Sequence, residues 1–533
     1  MARILVVDDD EEQLRLRRMI LERNGHEVAV AGTADEALRL CEEYKPRCVL
    51  MDLRMPKAED GLTLIREIRQ CQPESRMLVL TGWADDIEGK PERTMVDEVF
   101  VKPAKIERIL SALGRMALAL AFMLAGAVWA QTPASFRVAD AQNEITASIA
   151  MTAKGADWER KGSEGVLARI LVDGKARGHA WVFGEAASEP VRVFLGQLPA
   201  GKHALSVEVV KAESAALPLA VGKVEFEEIA PGDARYHAVA NAPIIIARAD
   251  TAGRFSDVPM TAYFERGRDI YRYTVIFSNE DGGTSTRDLM ARWGRTTDIE
   301  FVYEVNPATG ATLIQAKGHK EIPYAGSYEG RHPSLEVVTT NNMVAPGDAA
   351  GKLDFRLLPE PIELNGSREV FMDKHAWTYA VSSKELVREG KLRKFGEIRE
   401  ETISDPRSYL VAELNSTPEN SGIQVVAKLR SGGVRYGSAR GIPENYITRS
   451  GWLRIAVELP PGTGMNDVAE LMLDCVVTPD LKERKGVRDG SCGLAAPGRV
   501  MWLGEDYKPN EWRTIVAPGR WRAGTMVPVE IRP

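Results

Sequence analysis

The chain has 533 residues, of which 44% are hydrophobic and 27% charged, and its formal net charge is −7. That length exceeds what one hydrophobic core covers, so two to four domains are expected. Residues 1–115 hold 19 basic against 23 acidic side chains and the remainder 50 against 53. Neither part has the basic excess that draws a protein onto a phosphate backbone, and nucleic acid is excluded as an expected partner.

Residues 1–115 alternate short apolar runs with helical patterns. Arg3 to Val7 is a buried-strand run that ends in Asp8, Asp9 and Asp10. Leu14, Leu16, Ile20 and Leu21 then space a helix over Gln13 to Arg23, closed by Asn24-Gly25. Glu27 to Ala31 supplies a strand, and Thr33-Ala34-Asp35-Glu36 is a capping box that opens a helix through Tyr44. Cys48 to Met51 runs into Asp52, and Leu62 to Cys71 predicts a third helix. Met77 to Leu80 runs into Thr81. A fourth helix around Asp85 to Val96 is weak because Gly89 and Pro91 interrupt it. Glu98 to Val101 runs into Lys102, and a fifth helix is expected over Lys105 to Leu113.

This βα alternation predicts an α/β doubly wound fold with five parallel strands, whose ligands bind at the carboxyl ends of the strands. Separate strands therefore deliver Asp8 and Asp9, Asp52, Thr81 and Lys102 to one edge of the sheet. Helix capping accounts for Asp8 and Asp9 alone. It leaves Asp52, Thr81 and Lys102 without a reason.

The runs VVDDD, MDLRMP, LVLTG and FVKP, in this order and spacing, resemble the receiver domain of two-component response regulators. The resemblance covers about a fifth of the chain and implies the flavodoxin-like form of the doubly wound fold. It implies phosphorelay signal transduction, with Asp52 taking a phosphoryl group from a histidine kinase or phosphotransfer protein. Asp8, Asp9, Asp52 and the backbone carbonyl of Arg54 are the implied ligands of Mg²⁺, since converging carboxylates repel and need a hard cation. Thr81 and Lys102 are the implied contacts of the phosphoryl oxygens. Such a domain catalyses its own phosphorylation and dephosphorylation, and its output partner is unknown. Family members carry an aromatic residue three positions before the lysine. Here that position is Val99, with Phe100 one place later, which puts the usual relay in doubt.

Residues 116–130, MALALAFMLAGAVWA, carry no charge. They match a secretory signal peptide, with Arg108 and Arg115 before the apolar run and Val128-Trp129-Ala130 at its exit. Two arrangements are compatible. Met116 starts a second, exported protein joined to the receiver by a gene-model fusion, or an uncleaved signal-anchor associates the chain with a membrane and keeps residues 1–115 in the cytoplasm. A buried helix continuing the receiver is a third reading. As a span, 15 residues rise only about 22 Å.

Residues 131–533 read as mostly-β sandwich domains, expected to be periplasmic or extracellular. An immunoglobulin-like pattern covers 131–230, with strands such as Val166 to Val172, Val191 to Leu195 and Leu205 to Val210. The region 231–533 is β-rich and of unknown function; a binding protein or a hydrolase is the alternative reading of the whole chain. Asn279-Glu280-Asp281-Gly282-Gly283-Thr284 suits either a Ca²⁺ loop or a solvated turn. Arg292, Trp293 and Arg295 with Asp298 and Glu300 suit either a ligand site or an ion-pair cluster. Trp377, Trp452, Trp512 and Trp521 suit either a carbohydrate groove or the core. His237, His319, His332 and His375 show no metal-binding spacing, and no familiar hydrolase or phosphate-loop motif occurs. Cys41, Cys48 and Cys71 read as packed thiols. Cys475 and Cys492 form a disulfide or remain two thiols.

Overall fold

The structure is a computed structural model. It describes residues 3–23, 26–55, 57–72, 75–83, 86–87, 89–102, 109, 133–184, 186–187, 189–248, 255–267, 269–280, 282–363 and 365–532. The chain divides into two compact units, Met1–Ala130 and Gln131–Pro533.

In the first unit, strands β1 (Arg3–Val7), β2 (Glu27–Ala31), β3 (Cys48–Asp52), β4 (Arg76–Thr81) and β5 (Glu98–Val101) pair in parallel in the order β2-β1-β3-β4-β5. Ile4, Val49, Met51, Leu78 and Val79 are fully buried, as expected of strands covered on both faces. Burial pushes the thiols of Cys41 and Cys48 up to about 12, so both pack as small apolar groups.

Helix α1 (Glu11–Arg23) starts two residues earlier than its apolar spacing predicts, because Asp10 caps it. Asp10 Oδ1 accepts from the amides of Glu12 at 2.8 Å and Gln13 at 3.2 Å. Its buried stripe is Leu14, Arg17 and Leu21, whereas Leu16 is 46% exposed. Helix α2 (Ala34–Tyr44) has the expected cap, Thr33 accepting from the Glu36 amide at 3.3 Å. Helix α3 (Ala58–Cys71) begins before its apolar positions do. It lies so close to the turn after β3 that a Cβ on Gly61 would stand 1.9 Å from the Leu53 carbonyl oxygen.

The expected fourth helix is replaced, among the described residues, by a 3-10 turn at Pro91–Met95. Proline in its first turn fits, since that position leaves no hydrogen bond to lose. Of the expected fifth helix only Ile109 is described, and the 116–130 segment lies outside the described residues. Among the described residues no helix is long and apolar enough to cross a membrane.

The second unit is built on several sheets. Strands β6 (Ala134–Val138), β7 (Glu144–Ala153), β8 (Val166–Val172), β9 (Lys175–Val182), β10 (Val191–Gln197), β11 (Gly201–Val209) and β12 (Leu219–Ile229) form two antiparallel sheets, β10-β7-β12 and β6-β11-β8-β9, around one core. Farther along, Ile244–Ile246 pairs in parallel with His332–Val337, and Pro259–Arg266 with Glu360–Pro361, within otherwise antiparallel sheets. The last sheets, built around Tyr409–Ser416 and Gly422–Leu429, are antiparallel. Trp158 ties early and middle segments together, its indole N–H donating to Glu385 at 3.2 Å beneath the Arg388 guanidinium. Cys475 and Cys492 are disulfide-bonded, with Cα atoms 5.9 Å apart.

The close approach at Gly61 has a testable consequence. Gly61→Ala must push the turn after β3 away from α3. Overpacking of this kind costs about 1–3 kcal/mol, and the amides of β3 should exchange at lower urea concentration than in the wild type. Unchanged exchange of β3 would show that α3 can withdraw without strain.

Candidate functional site

Strand register brings the predicted residues together. Val7 pairs with Met51, Asp52 with Leu80 and Thr81 with Val101. Asp8, Asp9, Asp52, Thr81 and Lys102 thus follow or end neighbouring strands at one sheet edge. Backbone bonds fix the exits: the Asp8 amide donates to Ala31 O, Leu53 to Leu80 O and Lys102 to Thr81 O at 2.7 Å.

One carboxylate oxygen each from Asp8, Asp9 and Asp52 lies within 4.8 Å of the others. Among the described residues this is the only group of three ligating side chains so close. Asp8 and Asp52 are buried and Asp9 is exposed, so the pocket opens on the Asp9 side. Oxygen donors at this separation fit one hard cation, whose ligands stand about 2.0–2.1 Å away for Mg²⁺.

Two cations already meet these carboxylates. Lys102 Nζ is 2.9 Å from Asp52 Oδ2. Arg17, which apolar spacing alone does not single out, donates to Asp8 Oδ2, while Asp8 Oδ1 accepts from the Asp10 amide at 3.0 Å. The signal for Arg17 was present, since positions 14, 17 and 21 share one helix face. An apolar reading skips a charged residue there.

Thr81 is fully buried, and its hydroxyl donates to the Trp83 carbonyl at 3.0 Å while accepting from the Trp83 amide at 3.1 Å. The Arg54 guanidinium is engaged by residues of the turn after β4. It forms a two-toothed pair with Asp86 at 2.6 and 3.0 Å and stacks 4.1 Å from the Trp83 ring. That pairing holds Asp86 below the usual carboxylate range. Trp83 is 59% exposed. Phe100 is buried and Val99 half-buried, so neither presents an exposed ring on β5.

The features singled out in residues 131–533 resolve mainly into internal structure. Arg295 pairs with Glu369 at 2.8 Å, and Asp298 accepts from Asn342 at 3.0 Å. Glu280 accepts from the Thr284 amide at 2.8 Å within its own loop, and burial pushes its carboxyl up to about 7. Trp521 is buried, and Trp512 lies under the guanidinium groups of Arg454 and Arg499.

The family model for the response regulator receiver domain matches residues 4–114. The alkaline phosphatase synthesis transcriptional regulatory protein PhoP of Bacillus subtilis (strain 168) is 35% identical over 86 residues, 16% of this chain and 35% of that protein. The virulence transcriptional regulatory protein PhoP of Salmonella typhimurium is 35% identical over 114 residues, 21% of this chain and 50% of that protein. The chain therefore spans half or less of the length of these curated relatives. Among solved structures, a response regulator protein from Burkholderia pseudomallei, with a phosphorylated aspartic acid, calcium ion and citrate, shares 35% identity. That match covers 21% of this chain and 66% of that one, with a TM-score of 0.20.

The Thr81 contacts define a test of local order. Thr81→Val removes both hydrogen bonds to Trp83, and the Trp83 amide should then exchange about fivefold faster, as loss of a bond worth about 1 kcal/mol implies. Exchange at the wild-type rate would mean the turn is held by Arg54 and Asp86 alone.

Proposed function

Residues 4–114 being a response regulator receiver domain, we propose that Asp52 accepts a phosphoryl group from the phosphohistidine of a histidine kinase or phosphotransfer protein, in the cytoplasm. The observation that carries this reading is the convergence of three carboxylates at one sheet edge, where Lys102 meets Asp52 and Thr81 ends the neighbouring strand. A carboxylate oxygen of Asp52 attacks phosphorus as the phosphorus–nitrogen bond of the donor breaks. The product is an acyl phosphate, and the electron pair leaves with the imidazole. Asp9 and Asp52, with Asp8 directly or through water and the Arg54 carbonyl, would hold Mg²⁺. When bound, this ion offsets the negative charge that would repel the donor and stabilises the transferring group.

Lys102 then moves its ammonium, carried on a flexible stem, from Asp52 to a phosphoryl oxygen. Thr81 has to exchange the Trp83 carbonyl for a phosphoryl oxygen. That exchange frees the turn carrying Gly82, Trp83 and Asp86, so the charge added at Asp52 is read as a change in an exposed aromatic surface. In this reading Trp83, exposed just after β4, takes the reporting role that a ring on β5 would otherwise fill.

Incubating the full chain with acetyl phosphate and Mg²⁺ should label Asp52, and Asp52→Ala should take no label. Equal labelling of Asp52→Ala would remove the assignment. Lys102→Ala should still take label. Its phosphorylation-induced rise in hydrogen exchange over residues 81–87 should fall about tenfold or more, as loss of a charge-assisted contact worth about 1.5–3 kcal/mol implies.

A further inference from the structure

Arg17 is a charged residue in a core position. It is 9% exposed on the inner stripe of α1, and its guanidinium meets Asp8, which is 1% exposed. A second guanidinium nitrogen reaches Gln13 Oε1 at 3.4 Å. The other Asp8 oxygen is taken by the Asp10 amide at 3.0 Å. Both oxygens of Asp8 are therefore engaged by protein donors, and Lys102 engages Asp52 at 2.9 Å. Three carboxylates share two internal cations.

We propose that Arg17 is a built-in competitor of the divalent cation: it occupies Asp8 and raises the Mg²⁺ concentration at which the pocket fills. The proposal rests on the metal-binding reading of the same pocket. Direct ligation by Asp8 requires Arg17 to leave it, and among the described residues Gln13 Oε1, which a guanidinium nitrogen already reaches at 3.4 Å, is an acceptor beside it. If Arg17 stays, Asp9 and Asp52 carry the ion while a fixed positive charge repels it across Asp8. Either course makes the metal work against Arg17. Phosphotransfer then waits on a higher Mg²⁺ level than three free carboxylates would demand.

The test uses the full chain and counts bound Mn²⁺ by the loss of the free-ion EPR signal, with Mg²⁺ as displacer and Asp9→Ala as the background. Arg17→Met should bind Mn²⁺ and Mg²⁺ at least about tenfold more tightly than the wild type, a change of about 1.4 kcal/mol. Because that variant leaves Asp8 buried without its partner, a second one removes the pair as a unit. Asp8→Asn/Arg17→Met leaves no unpaired charge, and it should bind Mn²⁺ as tightly as the wild type or more so. Arg17→Met binding no more tightly than wild type, or the double variant binding tenfold more weakly, overturns the proposal while the pocket stands. Absence of an Asp9-dependent site from every form would instead overturn the metal-binding reading itself.

Discussion

Like charges forced into one small volume set the terms for the receiver unit. Asp8, Asp9 and Asp52 bring carboxylate oxygens within 4.8 Å of one another. Two unit charges 4 Å apart repel by about 1 kcal/mol in water and about 4 kcal/mol at the effective dielectric of a protein surface. The fold tolerates this because Lys102 answers Asp52 and Arg17 answers Asp8. Sheet register places the first pair, and the buried stripe of α1 places the second. A buried ion pair is weak evidence for stability, but a buried carboxylate stripped of its partner is costly. The same economy that lets the protein fold also leaves a pocket with a deficit of positive charge, open on the side of Asp9.

How much of this the sequence discloses depends on which physical signal a residue sends. Buried parallel strands announce themselves as continuous apolar runs, and all five stand within a residue or two of where those runs lie. Their polar tips were legible for the same reason, because a reactive residue at the end of such a run has nowhere to go but the sheet edge. Asp10 shows the limit. Three consecutive aspartates look alike in sequence, and only the helix start distinguishes the capping residue from its two neighbours. Arg17 was invisible for a different reason. An apolar periodicity passes over a guanidinium that is buried by a charge partner nine residues away. Pro91 interrupts the helical pattern and opens a 3-10 turn instead.

Residues 131–533 were legible as β-structure and little more. Alternation and turn residues mark antiparallel strands well, but parallel pairs such as Ile244–Ile246 with His332–Val337 join segments far apart in sequence and leave no local trace. The buried charges there are likewise long-range. Arg454, 1% exposed, is held by Glu413 at 2.8 Å and Asp373 at 2.6 Å, and no spacing rule links those three. The Cys475–Cys492 bond was one of two open readings for a pair seventeen residues apart.

The central claim is geometric: the carboxyl ends of separate strands bring Asp8, Asp9 and Asp52 together, and the proposed divalent cation would bind there, beside the proposed acceptor Asp52. Anomalous diffraction from crystals of the full chain soaked in Mn²⁺ tests it most directly. The account predicts one strong peak in the first unit, with Asp9 and Asp52 oxygens as its direct ligands. A receiver that diffracts well yet places its manganese away from both carboxylates would contradict it.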